Sequence, residues 1–328
     1  HPGYERDAED GDEGETRMTS PRNDERGQVF VFTVLALTVL LGMTALALDV
    51  GHWFRTQRRL QGTADAAALA GAQALPDDPG NADALALNYA GQNGGGVAAA
   101  DITISSTNQS NDTIFVQSKS TEPGFFSKIF GVDNVAINAR AKAIVGPPAQ
   151  ARYVAPMVVF CDHQLIHDCD GKNTPTFGQE TTLPYNAMGA PGAFGMLNLD
   201  GGSGTPGTSQ EADWILSGDN KYLPLGTYRS DPGTKWNSGG AIQAALQARV
   251  GTVLLFPVYQ TLVLQGQNAT YTIIGWIGFH LDSYTLQGNN GTLTGYFTEY
   301  IAQGIQAGSG SGSGAPSTFG VKTIQLIQ

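Results

Sequence analysis

The chain has 328 residues, 41% hydrophobic and 14% charged, with a net charge of −11. That length allows about two domains, and the composition supplies a core while excluding a mainly disordered chain. The acidic balance argues against a nucleic-acid partner, which would need a basic stripe, and two cysteines exclude a multi-cysteine zinc module or a disulfide-dense miniprotein.

Residues 1–28 hold nine acids and four arginines without apolar periodicity, and are expected to be a disordered acidic tail. The chain begins at His1, and Met18, just before the apolar flank, is the expected internal start. Val29–Leu48 reads VFVFTVLALTVLLGMTALAL, twenty residues without a charge. As a helix at about 1.5 Å per residue it spans the ~30 Å hydrocarbon core of a bilayer. A signal peptide has a shorter apolar stretch followed by a small-residue cleavage site. Here the run continues into Asp49, Gly51, His52, Trp53 and Phe54, an interface belt, and then into Arg55. Arg17, Arg22 and Arg26 before the span balance Arg55, Arg58 and Arg59 after it, so charge leaves the orientation undecided.

From Arg55 to Leu75 the text RTQRRLQGTADAAALAGAQAL is alanine-rich and free of proline, so the helix is expected to continue until Pro76. Ala66, Ala70 and Ala74, with Ala67 and Gly71, recur four apart, a row that lets a second helix approach closely. The plainer reading is high helix propensity on a solvated stalk.

The residues from Arg26-Gly27-Gln28 to Leu75 resemble the N-terminal module of the TadE/TadG-like proteins of Flp (tight adherence) pilus assembly. The resemblance is carried by the Arg-Gly start, the apolar span, Leu48-Asp49-Val50-Gly51, Arg58-Arg59-Leu60-Gln61, Ala64-Asp65-Ala66-Ala67-Ala68-Leu69-Ala70 and Ala74-Leu75. It implies a bacterial cell-membrane protein that crosses once, with its C-terminal region outside the cytoplasm. The implied partners are the membrane and other pilus-assembly proteins, or a second copy, met through the long helix. Two departures limit what carries over. A prepilin-type site needs Glu five residues after the cleaved Gly, and counting from Gly27 that position is Phe32. Processing like a major pilin is therefore not expected. The Asp-x-Ser-x-Ser metal motif of larger TadG-like proteins is missing from the sequence.

Downstream, Asn81–Gln92 reads as a short helix, Asp101–Thr107 and Thr113–Ser118 as strands, Pro123–Phe130 as a helix and Val135–Val145 as a strand. That order predicts a small antiparallel sheet packed on helix, an α+β module of the general design of pseudopilins. Gly146–Ala151 reads as a linker. Beyond it Pro156–Phe160, Thr252–Leu264, Ala269–Leu281 and Thr292–Phe297 read as strands, Ala241–Val250 as the one clear helix, and Phe319–Ile327 as a last strand that rejoins a sheet. The Gly-rich loop, the Ala-x-x-Ala-Leu helix and the Phe-Pro-Val-Tyr strand also resemble the downstream part of some short TadG-like proteins.

The expected fold class is thus a membrane-anchored α+β protein: a long transmembrane helix, a small antiparallel sheet, then a mostly β C-terminal domain. The expected segments are the tail 1–28, the helix and its extension 29–75, an α+β module 76–146, a linker 147–153, a mostly β extracytoplasmic domain 154–303, a Gly/Ser linker 304–316 and a C-terminal strand 317–328.

Reactive residues concentrate in Cys161-Asp162-His163-Gln164-Leu165-Ile166-His167-Asp168-Cys169. Outside the cytoplasm Cys161 and Cys169 suit a disulfide; Cys-x-His and His-x-Cys also suit zinc or copper; free thiols are the third reading. Asp162, Asp168 and Asp170, and the Asp200–Gly204 loop, match neither an EF-hand nor a P-loop. Ser217-Gly218-Asp219-Asn220 has no Ser-x-x-Lys to accompany it. His52 and His280 read as interface and packing residues, and Trp214, Trp236 and Trp276 as core rather than sugar platforms. No nucleophile, base and orienting group emerge together. The sequence therefore predicts a protein without catalysis, cofactor or resident metal. The rival readings are a membrane-tethered binding module for a protein or cell-wall glycan, and then a membrane-anchored hydrolase.

Overall fold

The computed structural model describes residues 25–167, 169–170, 173–185, 194–201, 205–231, 240–263, 269–286, 291–306 and 319–327. The acidic tail expected over 1–28 and the Gly/Ser linker expected over 304–316 fall largely outside them, as do Asp168 and Trp236. The chain divides into two compact units, His1–Phe54 with Pro123–Val135, and Arg55–Glu122 with Ala136–Gln328.

One helix, α1 (Glu25–Ala72), runs unbroken for 48 residues, about 72 Å at 1.5 Å per residue. Among the described residues it is the one helix long and apolar enough to cross a membrane, with a mean hydropathy of 2.5 in its apolar window. Every large apolar side chain from Val29 to Leu41 is exposed, Leu40 to 62% and Leu41 to 63%. Exposed apolar surface of this extent is costly in water and matches hydrocarbon.

The chain beyond the helix is mixed α/β, with a sheet curled as a half-barrel. Helix α2 (Pro79–Gln92) starts on Asp78, whose carboxylate accepts from the Asn81 N–H, with Pro79 in the first turn. Strands β1 (Ile102–Ser105), β2 (Thr113–Pro123) and β3 (Asn134–Gly146) follow. The β1–β2 hairpin is organised by Asp112, whose carboxylate accepts from the N–H groups of Thr107, Asn108 and Gln109 and from the Thr113 hydroxyl, all at 2.7–2.9 Å. Burial alone would raise that carboxyl; these donors outweigh it and hold it below the ordinary aspartate value.

The segment expected as a linker is instead a strand, β4 (Pro148–Ala151), lying between β14 (Gly304–Gln306) and β8 (Leu223–Pro224). Its Pro-Ala-Gln-Ala text has little strand propensity, so the pairing is imposed by its neighbours. The five-stranded sheet runs β1-β2-β3-β15-β13. Its fourth member, β15 (Val321–Ile327), pairs antiparallel with 142–146 of β3, and β13 (Tyr300–Ile301) pairs parallel with β15. The sheet of the first region is thus completed from the far end of the chain.

A seven-stranded sheet holds β6 (Glu180–Pro184), β12 (Thr292–Thr298), β11 (Thr270–Thr285), β10 (Thr252–Val263), β5 (Met157–Phe160) and β7 (Phe194–Met196) in that order, with β9 (Gly226–Arg229) also on β11. Both faces of its centre are buried. Leu254, Phe256 and Val258 belong to one core with Ile277, Phe279 and Leu281, while Leu255 and Tyr259 belong to another with Tyr271, Ile273 and Trp276. A strand covered on both faces reads as an unbroken apolar run, which is what VLLFPVY is. Two helices accompany this sheet. Helix α4 (Ala241–Arg249) matches the expectation, and α3 (Thr208–Ser217) was not foreseen. Ala212 and Ile215 of α3 join Ile242 and Leu246 of α4 in the first of these cores.

Candidate functional site

The helix α1 carries two different surfaces, and the chemistry of the chain gathers on it. From Arg55 onward its small residues face the chain's own core. Ala67, Ala70 and Gly71 are buried, and Ala66 and Ala74 are half-buried. Opposite them lie Ala82, Ala86 and Ala90 of α2, four apart and all buried, with Ile114 and Val116 of β2 and Ala141, Ala143 and Val145 of β3. Two alanine faces allow a close crossing. At Gly71 the fit is tightest: a Cβ there would stand 2.5 Å from Ile114 Cδ1 and 2.9 Å from the Ala82 carbonyl. Three members of the row read in the sequence as a packing surface, Ala67, Ala70 and Gly71, are therefore covered from within the same chain.

Two glutamines of the Arg-Arg-Leu-Gln region extend this packing. Gln57 and Gln61 donate from Nε2 to the carbonyls of Asn138 and Arg140 at 3.0 and 2.9 Å. Residues four apart on a helix are about 6.0 Å apart along the axis, and residues two apart on a strand about 6.8 Å. The two spacings match closely enough for one helix face to read alternate carbonyls of β3, upstream of the residues that β15 pairs.

At the end of the apolar run Asp49 is buried, at 1% exposure. Its carboxylate accepts from the N–H groups of Phe125, Phe126 and Ser127 at 3.2, 2.9 and 2.7 Å. The His52 and Phe125 rings meet edge to face at 5.8 Å. The segment 123–130, expected as a helix, continues β2 to Pro123 and then forms only a single 3₁₀ turn, Ser127–Phe130. Gly131, at φ 82°, ends that turn in a left-handed conformation, and Asp49 caps the N–H groups at its start. Sequence reasoning placed Asp49 in an interface belt and missed this bond set. The available signal was a lone acid directly after a charge-free run, where an unpaired carboxylate is costly.

The structure joins Cys161 and Cys169 in a disulfide. Within the ring His163 is buried, its Nδ1 accepting from the Leu165 N–H at 3.1 Å and its ring packed edge to face on Phe297 at 5.1 Å. Burial, and then the neighbouring His167, push its pKa down. His167 lies 3.7 Å from Asp162 on the surface. Among the described residues no group of three His, Cys, Asp or Glu side chains is placed to hold a metal ion. His280 stacks on Tyr296 and faces Asp282 at 3.0 Å, and Trp276 is core, its Nε1 donating to the Pro148 carbonyl at 3.2 Å.

The family described as Flp pilus-assembly TadE/G-like matches residues 27–74. That match coincides with α1 almost end to end, so this helix, with its apolar run, Asp49, the two glutamines and the alanine row, is the part of the chain that is similar to the TadE/G-like family. No curated protein and no solved structure matches the chain.

Proposed function

We propose that this protein is a non-catalytic, single-pass membrane component or accessory of Flp/Tad-type pilus assembly. In this reading Val29–Leu48 crosses the cell membrane and the chain beyond Phe54 lies outside the cytoplasm. The observation that carries it is the coincidence of the TadE/G-like match with one helix whose charge-free first part exposes every large apolar side chain from Val29 to Leu41. A disulfide between Cys161 and Cys169 supports an oxidising compartment for the C-terminal region. The non-catalytic reading is supported by the family context. Because Ala67, Ala70 and Gly71 are occupied within the chain, contact with pilus-assembly partners falls to other surfaces.

Deletion of the gene in its native bacterium tests this. Pili should be lost or much reduced, and return with the wild-type copy but not with a Leu40→Arg/Leu41→Arg copy. Normal piliation in the deletion strain would refute the assembly role. Protease added to intact spheroplasts should digest the region beyond Phe54; digestion only after lysis would reverse the topology.

A further inference from the structure

The reversal between β2 and β3, Pro-Gly-Phe-Phe-Ser-Lys-Ile-Phe-Gly-Val at 123–132, is built unlike a solvated turn. Phe125, Ile129 and Phe130 are 61, 81 and 71% exposed, and Phe126 and Val132 are also open. Turns in water favour Gly, Pro, Asn, Asp and Ser, each for a backbone reason, and a contiguous exposed apolar patch marks a protein or membrane contact. Apart from the edge contact of Phe125 with His52, the fold makes little use of these side chains, because the backbone is fixed by other groups. Asp49 takes three of its N–H groups, the Gly124 N–H donates to the Asp133 carbonyl at 2.9 Å, and the Ser127 hydroxyl donates to the Val132 carbonyl at 3.2 Å. The segment is a rigid mount for three outward-facing apolar groups.

Asp49 settles what covers them, because it directly follows Leu48, the last residue of the charge-free run. The bonds that hold the turn also hold it beside the end of that run, within one compact unit. We propose that this turn is a second membrane contact, with Phe125, Ile129 and Phe130 inserted into the interfacial layer of the bilayer that α1 crosses and Lys128 at the level of the lipid phosphates. The proposal rests on the reading of Val29–Leu48 as a membrane span. Bilayer lipid is the occupant because any insertion of the run carries the turn to the water–hydrocarbon boundary, where apolar rings and a basic side chain are both accommodated. A span held at one point rotates freely about its axis; interfacial anchors beside it set rotation and tilt.

The test uses nitroxide labels on the full chain in vesicles of phosphatidylethanolamine and phosphatidylglycerol. The two native cysteines are bonded to each other, so an introduced cysteine is the one reactive thiol. Labels go at Ile129→Cys, at Phe130→Cys as an independent second reading, at Leu40→Cys within the run, and at Asn88→Cys, an exposed polar position on α2. The expected result is that labels 129 and 130 collide readily with oxygen and poorly with a water-soluble nickel chelate, as label 40 does, while label 88 shows the reverse. Labels 129 and 130 behaving like label 88, with label 40 in lipid, would overturn the second contact and leave the span intact. Water-like behaviour at 40 as well would overturn the span, and the second contact with it.

Discussion

Asp49 orders a distant turn with one carboxylate, and its replacement separates that bond set from the rest of the helix. Asp49→Ala should speed amide exchange at Phe126 and Ser127, with Asp49→Asn intermediate because an amide keeps one acceptor oxygen. Unchanged exchange in both would mean the turn holds itself. His163 gives a pH dependence of definite sign. Its folded pKa lies below the ordinary value of about 6.5, so below that pH the unfolded chain takes up a proton that the folded chain resists. Stability should be full above pH 6.5 and fall as the pH drops toward the folded value, and His163→Gln should flatten that part of the profile. Asp112 acts lower: its carboxyl is held below the ordinary aspartate value of 3.8, so its contribution is present above that pH and is lost as pH falls through the folded value. Opening the Cys161–Cys169 ring by Cys161→Ser should cost about 2–3 kcal/mol by loop entropy, measured by urea unfolding in detergent. An effect no larger than that of a surface substitution would show that the ring adds no constraint.

At the scale of elements, the second part of α1 is a packing helix. Gly71→Leu puts a branched side chain where Ile114 Cδ1 and the Ala82 carbonyl already stand, and overpacking of this kind costs about 1–3 kcal/mol. Gln73 is exposed, so Gln73→Leu should be near neutral; equal behaviour of the two variants would contradict the packing described. The small-residue row was legible because a four-residue period is a helical signal at any partner. What covers it was not. Ala82, Ala86 and Ala90 sit in a helix whose apolar pattern is loose, and the strand residues that complete the core lie more than forty positions along. The 3₁₀ turn, α3 and β4 escaped for one shared reason. Each is held by groups remote in sequence (Asp49, the α4 core and the flanking strands) and local propensity is silent about such partners.

For the whole molecule, the apolar run, the family segment and the central strands of the large sheet were all readable, because each writes a continuous pattern into the text. The return of β15 to β3 was readable only as a strand without an address, since pairing across some 180 positions leaves no local mark. The order of the chain thus goes from an exposed apolar helix, through an alanine-packed helix, to sheets closed by the last strand. The account depends most on the first of these. Arg at both Leu40 and Leu41 should raise the insertion free energy by about 6 kcal/mol. The direct measurement is alkaline carbonate extraction of membranes from cells making the full chain. Wild-type protein should stay in the membrane pellet and Leu40→Arg/Leu41→Arg should pass to the supernatant. Wild-type protein released by carbonate, or a double variant retained as firmly as wild type, would contradict the membrane anchor on which the rest is built.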